Sequence, residues 1–488
     1  MMDSDDLPAG WATCTLGDLI PNARPKVQAD PASDLPFIGM DHIEADGFHL
    51  TGQARFADMK SAGSYFLAKD ILYGRLRPYL NKVHRAKFEG VASAEFIVLP
   101  STDHFDSDFI KFLLHRRQFV DFAISKSSGD RPRVKFDGIA GYEFALPPLP
   151  EQQRIVEKIE TLFAELDKGE DALREVQKLL ARYRQSVLKA AVTGTLTADW
   201  RAANGPPKAT GQDLLARILK TRCETWQGRG KYKEPAEPDT QGLPELPEGW
   251  TWASVEQLSS STPNALCIGP FGSNLRVDDY TDEGVPLIFV RHIRADDFTG
   301  QEPKFVSPEK ARELSSHRVF PGDLLVTKMG DPPGDITVYP DDAPTAIITA
   351  DCIRFALSET DISKAFIVRA VQSRLVQAQI AKISKGVAQQ KVTLANFKKV
   401  AIPLPPSGEQ TEIAELADLE FDRIQRASDM ASVELCRGAA LRQSILKDAF
   451  SGKLVPQDPS DEPAERLLGR IRAARTDKPK AKRKKATA

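Results

Sequence analysis

The chain has 488 residues, too many for one core, and its length allows about three domains. Apolar content of 41% and charged content of 27% are ordinary for globular protein, and the net charge of −2 does not announce a polyanion partner. Mean hydropathy is negative and no apolar run reaches the roughly 18 residues that span a bilayer, so no membrane-spanning helix is expected. The opening MMDSDDLPAGW is acidic and lacks an apolar h-region, so no signal peptide is expected. The five cysteines are scattered without a C-x-x-C pair, which fits a reducing cytoplasm and neither a disulfide nor a zinc framework.

Residues 1–150 read as a first globular domain of mixed character. Short β-type runs such as FIVLP are broken by Gly, Pro and Asp turns, and one helix is expected over 109–125, FIKFLLHRRQFVDFAIS. Locally this domain is basic: residues 60–135 hold 14 Lys/Arg against 8 Asp/Glu. Pro147, Pro148 and Pro150 then end a strand and punctuate a helix start. In 151–197, positions 155, 159, 162, 166, 169, 173, 176, 180, 183, 187 and 190 keep an unbroken 4-3 spacing and are apolar except Gly169, which is a coiled-coil seam. A lone surface helix, with a period near 3.6, would drift off that seam. At about 1.5 Å per residue, 155–190 is a ruler of roughly 54 Å, or roughly 16 base pairs of duplex.

Residues 198–245 are Pro/Gly-rich and read as a linker with one short helix. A second mixed domain follows over 246–406, with β-type runs at 287–290 and in DLLVT and one helix expected over 365–384. Residues 310–399 hold 13 Lys/Arg against 9 Asp/Glu. A second long helix is expected over 407–455. Ile413, Ala417, Ile424, Ala427, Ala431, Leu441 and Ile445 keep its register, while Glu420, Glu434, Gly438 and Asp448 interrupt it. The two long helices are expected to pack on each other, antiparallel, with part of the second left for a partner. Residues 456–488 read as a short helix and a basic tail.

The second half repeats the first. LPAGW (7–11) recurs as LPEGW (246–250), and PFIGMDHIEADGF (36–48) is echoed by PLIFVRHIRADDF (286–298). KDILYGRLRP (69–78) resembles GDLLVTKMGDP (322–332), and ALPPLPEQQRI (145–155) resembles AIPLPPSGEQTEI (401–413). RQSVLKAAVTGTL (184–196) and RQSILKDAFSGKL (442–454) share eight of thirteen positions, and DLLARI (213–218) matches RLLGRI (466–471). The order is the same in both halves. The fold expected is therefore α+β: two similar α/β domains separated by two long helices packed as an antiparallel coiled coil, with pseudo-twofold symmetry.

Catalytic signatures are missing. There is no G-x-x-x-x-G-K-[ST] loop, no H-E-x-x-H and no clustering of the seven histidines, and GPFGSN (269–274) lacks dinucleotide-loop spacing. Asp331-Pro332-Pro333 imitates the tripeptide that amino-methyltransferases place against a flipped base, but Gly334 follows where an aromatic ring is needed. Pro-Pro-Gly is turn chemistry.

LPEGW opening each half, the LPPLPEQQRI and PLPPSGEQTEI junctions and the paired RQS-x-LK-A-x-x-G-x-L helix ends resemble the specificity subunit of type I restriction–modification systems over nearly the whole chain. The resemblance implies two target recognition domains, each reading one half of a split site in double-stranded DNA. It implies helical conserved regions that dock two modification subunits, and two restriction subunits in the full complex. It implies no catalysis and no cofactor in this chain, with S-adenosylmethionine, ATP and magnesium in the partner subunits.

Base edges are read chiefly by Arg/Lys on guanine and Asn/Gln on adenine. The candidates in the first domain are Arg75, Arg77, Tyr79, Asn81 and Lys82, with Ser128, Arg131, Arg133 and Lys135 of the loop SSGDRPRVK. Those in the second are Arg291, Arg294 and Lys328, with Gln389, Gln390 and Lys391 of the loop KGVAQQK. Both loops stand just before a proline junction. His42 and His292 read as packing or turn residues. For partner docking the candidates are the repeated helix ends: Arg184, Gln185, Ser186, Leu188 and Lys189, with Arg442, Gln443, Ser444, Leu446 and Lys447. They could equally close the helix pair. The competing reading is a coiled-coil scaffold with protein-binding ends, which predicts DNA association insensitive to salt. A third, a fused enzyme with a cryptic centre, lacks a second motif beside Asp331-Pro332-Pro333.

Overall fold

The computed structural model describes residues 7–20, 22–226, 231–358, 361–386 and 390–476, with side chains to residue 473. The chain divides into two compact units, Met1–Arg174 with Ser432–Ala488, and Glu175–Ala431.

The first unit opens on strand Ala12–Thr15, which pairs antiparallel with Glu143–Leu146. Between them lie a five-stranded sheet and a three-stranded sheet whose centre is Ile71–Gly74. The second unit opens on Thr251–Ser254, which pairs in the same way with Ala401–Leu404. It too holds a five-stranded sheet, and a four-stranded one that includes Leu324–Thr327. Each five-stranded sheet has one parallel pair, Pro36–Ile38 with Gly90–Ser93 and Val285–Ile288 with Ala346–Ile348. The α+β class with two similar domains and two long helices holds.

Residues 198–245, expected as a linker with one short helix, carry two, Ala198–Asn204 and Gly211–Glu224. The helices of the globular domains need correction as well. The single helices expected over 109–125 and 365–384 are each two helices, Ser107–Leu114 and Arg117–Ser125, then Lys364–Gln372 and Arg374–Ile383. Arg116 and Ser373 both adopt extended backbone, and the Ser373 hydroxyl caps the new helix by accepting from the Val376 N–H.

The repeated motifs fold into buried locks. Trp11 of LPAGW donates its indole N–H to Glu151 (3.1 Å), and Trp250 of LPEGW donates to Glu409 (2.8 Å). Burial raises the Glu151 carboxyl above the ordinary carboxylate range, while the Trp11 and Gln457 donors pull it back. The next residue is a staple. Gln152 accepts from the Asp106 N–H and donates to the Pro147 carbonyl, both at 2.9 Å. Gln410 does the same to Ser363 and Pro405, again at 2.9 Å. Asp106 and Ser363 are helix N-caps, so each staple ties a helix start to a proline junction.

The long helices run Leu149–Thr193 and Ser407–Ala449, 45 and 43 residues. Within the first unit the start of the first lies against the end of the second. Ile155, Ile159 and Phe163 share a core with Leu446, Ala449 and Phe450, and Arg442 pairs with Asp167 (2.6 Å) and Glu170 (2.9 Å). Within the second unit the end of the first lies against the start of the second, with Val187 and Leu188 against Ala417, Phe421 and Ile424. The pairing is thus antiparallel in each unit. The arginine of each RQS repeat lies over a phenylalanine of the facing helix: Arg442 over Phe163 at 5.2 Å, Arg184 over Phe421 at 4.3 Å.

The short helices Gly211–Glu224 and Ala464–Thr476 carry the matched DLLARI and RLLGRI. Leu214 and Ile218 enter the core of the second unit, and Leu467, Leu468 and Ile471 that of the first.

Candidate nucleic-acid interface

In the first unit the chain leaves strand Ile71–Gly74 through Arg75, Leu76 and Arg77. The loop 128–133 closes as a hairpin, Ser128 and Arg133 exchanging backbone bonds of 3.2 Å. That hairpin is laid along the strand end: Val134 N–H donates to the Arg75 carbonyl (3.0 Å) and Arg77 N–H to the Pro132 carbonyl (2.7 Å). Two candidate segments 50 or more positions apart in sequence are thereby brought together. Arg77, Lys82 and Arg131 line one groove of about 470 Å³ with Met40, Asp41, Leu76 and Leu80. Arg77, Tyr79, Ser128, Arg131 and Lys135 are exposed. The Lys82 ammonium donates to the Met40 carbonyl at 2.6 Å. Arg133 forks onto Glu95 (2.9 and 3.0 Å), and that pair holds the Glu95 carboxyl below its ordinary range. Arg75 is half-buried beside it.

Asn81 must be withdrawn as a base reader. It is 3% exposed, in left-handed backbone, and its amide donates to Asp46 (3.0 Å) and meets the ring nitrogen of buried His115 (3.1 Å). It fixes the turn after Pro78–Leu80 instead.

The second unit repeats the arrangement. Strand Leu324–Thr327 runs on through Lys328, whose carbonyl accepts from the Val392 N–H (3.0 Å). Met329–Gly330 pairs with Gln390–Lys391, and Lys385 and Lys391 exchange backbone bonds of 3.0 and 2.9 Å. Lys391 is exposed and Gln390 half-buried, while Gln389 lies outside the described residues. Lys328 is corrected to a supporting role. It is 8% exposed, donates to the Ala350 carbonyl (2.8 Å) and sits under the Phe271 ring at 4.6 Å; burial lowers its pKa.

Arg294 is exposed yet pairs with Asp335 at 2.9 Å, and Arg291 lies over Phe289 (4.2 Å) while donating to the Glu302 carbonyl (2.7 Å). Asp331-Pro332-Pro333 leads into a closed turn, where Gly334 and Asp335 N–H both donate to the Thr327 hydroxyl. His42 and His292 serve turns, accepting from the N–H groups of Gly39 (3.0 Å) and Phe289 (3.2 Å).

The residues expected to dock partners divide. Leu188 and Leu446 are buried inside the helix pair, so they are corrected to packing residues. Arg184 and Arg442 are spent on the contacts above, and Gln443 spans the His115 carbonyl and Arg117 N–H. Gln185 is half-buried. Ser186, Lys189, Ser444 and Lys447 are exposed. Three positions expected in the seam, Val176, Tyr183 and Leu441, are instead exposed, and sequence reasoning missed the apolar residues left bare beside them: Leu179, Leu419, Met430 and Val433. The signal for these four was an apolar residue standing off the 4-3 register. Phe271 was missed as well, although a glycine-flanked aromatic marked it.

Among the described residues no group of His, Cys, Asp and Glu could hold a metal ion, and no helix is long and apolar enough to cross a membrane. The type I restriction modification DNA specificity domain matches residues 8–175 and 309–422. The chain is 23% identical to the Type I restriction enzyme EcoDI specificity subunit of Escherichia coli, over 99% of this chain and 100% of that one. It is 28% identical to the EcoBI specificity subunit of Escherichia coli, over 70% of this chain and 66% of that one. Among solved structures, a chain from a study of complex assembly and conformational transition of the type I R-M system superposes with a TM-score of 0.62 at 18% identity, covering 92% of this chain and 99% of that one. The HsdS subunit from Thermoanaerobacter tengcongensis gives 0.50 at 19%, covering 92% and 98%. With that family's domain matched in both halves of the sequence, on a fold shared with solved type I system chains, the chain belongs to the type I restriction–modification DNA specificity family.

Proposed function

We propose that the chain reads a two-part site in double-stranded DNA, one half with each globular unit, and carries modification subunits that methylate it. The observation that carries this reading is the shared placement of two basic hairpins. Residues 128–133 in one unit, and Lys385 bonded to Lys391 in the other, lie at the ends of corresponding strands, each held by a backbone bond from a buried valine, Val134 or Val392. The first hairpin presents Ser128 and Arg131 with Arg77 and Tyr79 beside it; the second presents Gln390 and Lys391. These side chains suit paired hydrogen bonds to guanine and adenine edges, and the remaining cations suit phosphate.

The chain is a recognition component without catalysis of its own. S-adenosylmethionine, ATP and magnesium belong to partner subunits, two for modification and two for restriction, in a cytoplasmic complex. The bare apolar positions on the long helices favour docking of the modification subunits there, and Lys189 and Lys447 are each exposed in their own unit. The test is single-molecule sequencing of methylated adenine in cells expressing this chain with its modification subunit. The expected result is one bipartite motif that disappears when this chain is omitted. Absence of a motif, with the modification subunit active and bound, would move the reading to a protein-binding scaffold.

A further inference from the structure

The second unit carries an element that the first lacks. In the first unit Arg24 bonds to Val98, and strand Lys26–Val27 begins two positions later. In the second, residues 269–279 intervene between strands Leu266–Ile268 and Tyr280–Thr281. The insertion has no core of its own. Phe271 is 58% exposed and Val277 75%, and Asn274 and Arg276 are also exposed. An exposed aromatic ring of this kind offers a face on which a base can stack.

The loop is nonetheless anchored. A Cβ on Gly269 would lie 2.2 Å from the Thr349 backbone, so only glycine lets the loop base close on that turn. Gly272 takes φ +55 and turns the chain immediately after Phe271. The underside of the ring rests on the Lys328 ammonium. Lys328 in turn bonds through its carbonyl to Val392, one residue beyond the 385–391 hairpin. The aromatic edge, the buried cation and the candidate reading hairpin are therefore contiguous.

We infer that residues 269–279 form a second DNA-reading element of this unit, in which Phe271 wedges between or stacks on bases of its half-site. This rests on the DNA-reading function proposed above. Apolar side chains that enter a base step unstack it and kink the duplex, and aromatic rings stack on bases of any sequence. Asn274 and Arg276, next on the loop, carry the groups that read adenine and guanine. Lys328 holds the ring's underside at a fixed height, leaving the outer face and edge for a base.

The test uses the full chain assembled with its modification subunits and duplexes carrying the mapped site. 2-Aminopurine replaces each adenine or guanine of the second half-site in turn, except the methylated adenine. At saturating protein one step should brighten, and the brightening should vanish in Phe271→Ala, remain in Phe271→Trp, and accompany about tenfold weaker binding of Phe271→Ala. A bound wild-type complex with no bright step, or a signal that survives Phe271→Ala, overturns the wedge alone. A wild-type complex that binds no duplex overturns the DNA reading beneath it.

Discussion

Replacing Gln410 with Leu removes both bonds of the second staple while keeping a side chain of similar size. The Ser363 N–H and the Pro405 carbonyl each lose a 2.9 Å partner in a site where Gln410 has no solvent exposure. A buried backbone group left unpaired costs about 1–3 kcal/mol, so two cost about 2–6, offset by about 1–2 from the apolar replacement. A net loss of about 3 kcal/mol is expected, confined to the second unit, with Gln152→Leu acting likewise on the first. Gln410→Glu sharpens the argument. Protonated, the new side chain can still donate to Pro405; ionised, it sets a carboxylate oxygen against that carbonyl. Its folded pKa should therefore rise above the unfolded value of about 4.3. The sign follows from linkage: relative to wild type the variant is unharmed near pH 4 and loses stability as pH rises toward 7. Hydrogen exchange resolved by peptide reads the two units separately. A Gln410→Leu penalty below about 1 kcal/mol, or one spread equally over both units, would refute the staple.

Three further outcomes follow. His115 is buried and its pKa is pushed down to about 3, mainly by burial, so the first unit binds fewer protons folded than unfolded below pH 6.5 and should lose about 2 kcal/mol by pH 5; His115→Gln should flatten that slope in acid unfolding curves, and an unchanged slope would contradict it. Arg131→Ala should alter only the half-site read by the first unit and Lys391→Ala only the other, each weakening binding by about 1–3 kcal/mol, as methylation mapping and anisotropy titrations would register. Leu179→Asp and Met430→Asp, at exposed positions, should leave thermal unfolding within about 0.5 kcal/mol of wild type yet abolish co-purification of the modification subunit; retained co-purification would move docking off this face.

What the sequence disclosed depended on whether the reason for a residue was local. The locks were legible as repeats because their chemistry fixes residue identity: an indole N–H meets Glu151 and Glu409 in turn, and a primary amide both accepts and donates at Gln152 and Gln410. The long helices were legible from 4-3 spacing. The breaks at Arg116 and Ser373 were not, since amphipathic residues continue on both sides of each. Asn81 looked like a base reader because its owner, Asp46, lies 35 residues away. Lys328 looked like a free cation because the ring that covers it belongs to an insertion. Leu188 and Leu446 were taken for partner contacts because repetition alone does not separate an intramolecular seam from an external one.

The two kinds of repeat serve different ends. At the junctions side chains bond to side chains and to fixed backbone groups, so a change of residue is a change of stability. At the hairpins the frame is backbone: Val134 to Arg75, Val392 to Lys328, and the closing pairs Ser128–Arg133 and Lys385–Lys391. Val134, Val392 and Lys328 are buried there. Such backbone bonds can be made by any amino acid except proline. Arg131 and Lys391 can thus differ in chemistry without disturbing what holds them, and 269–279 can be added to one unit without a counterpart in the other. The proposed reading of two different half-sites with one repeated architecture requires that separation. Identity is demanded where the units are locked to the helices, and freedom is left where the hairpins face outward.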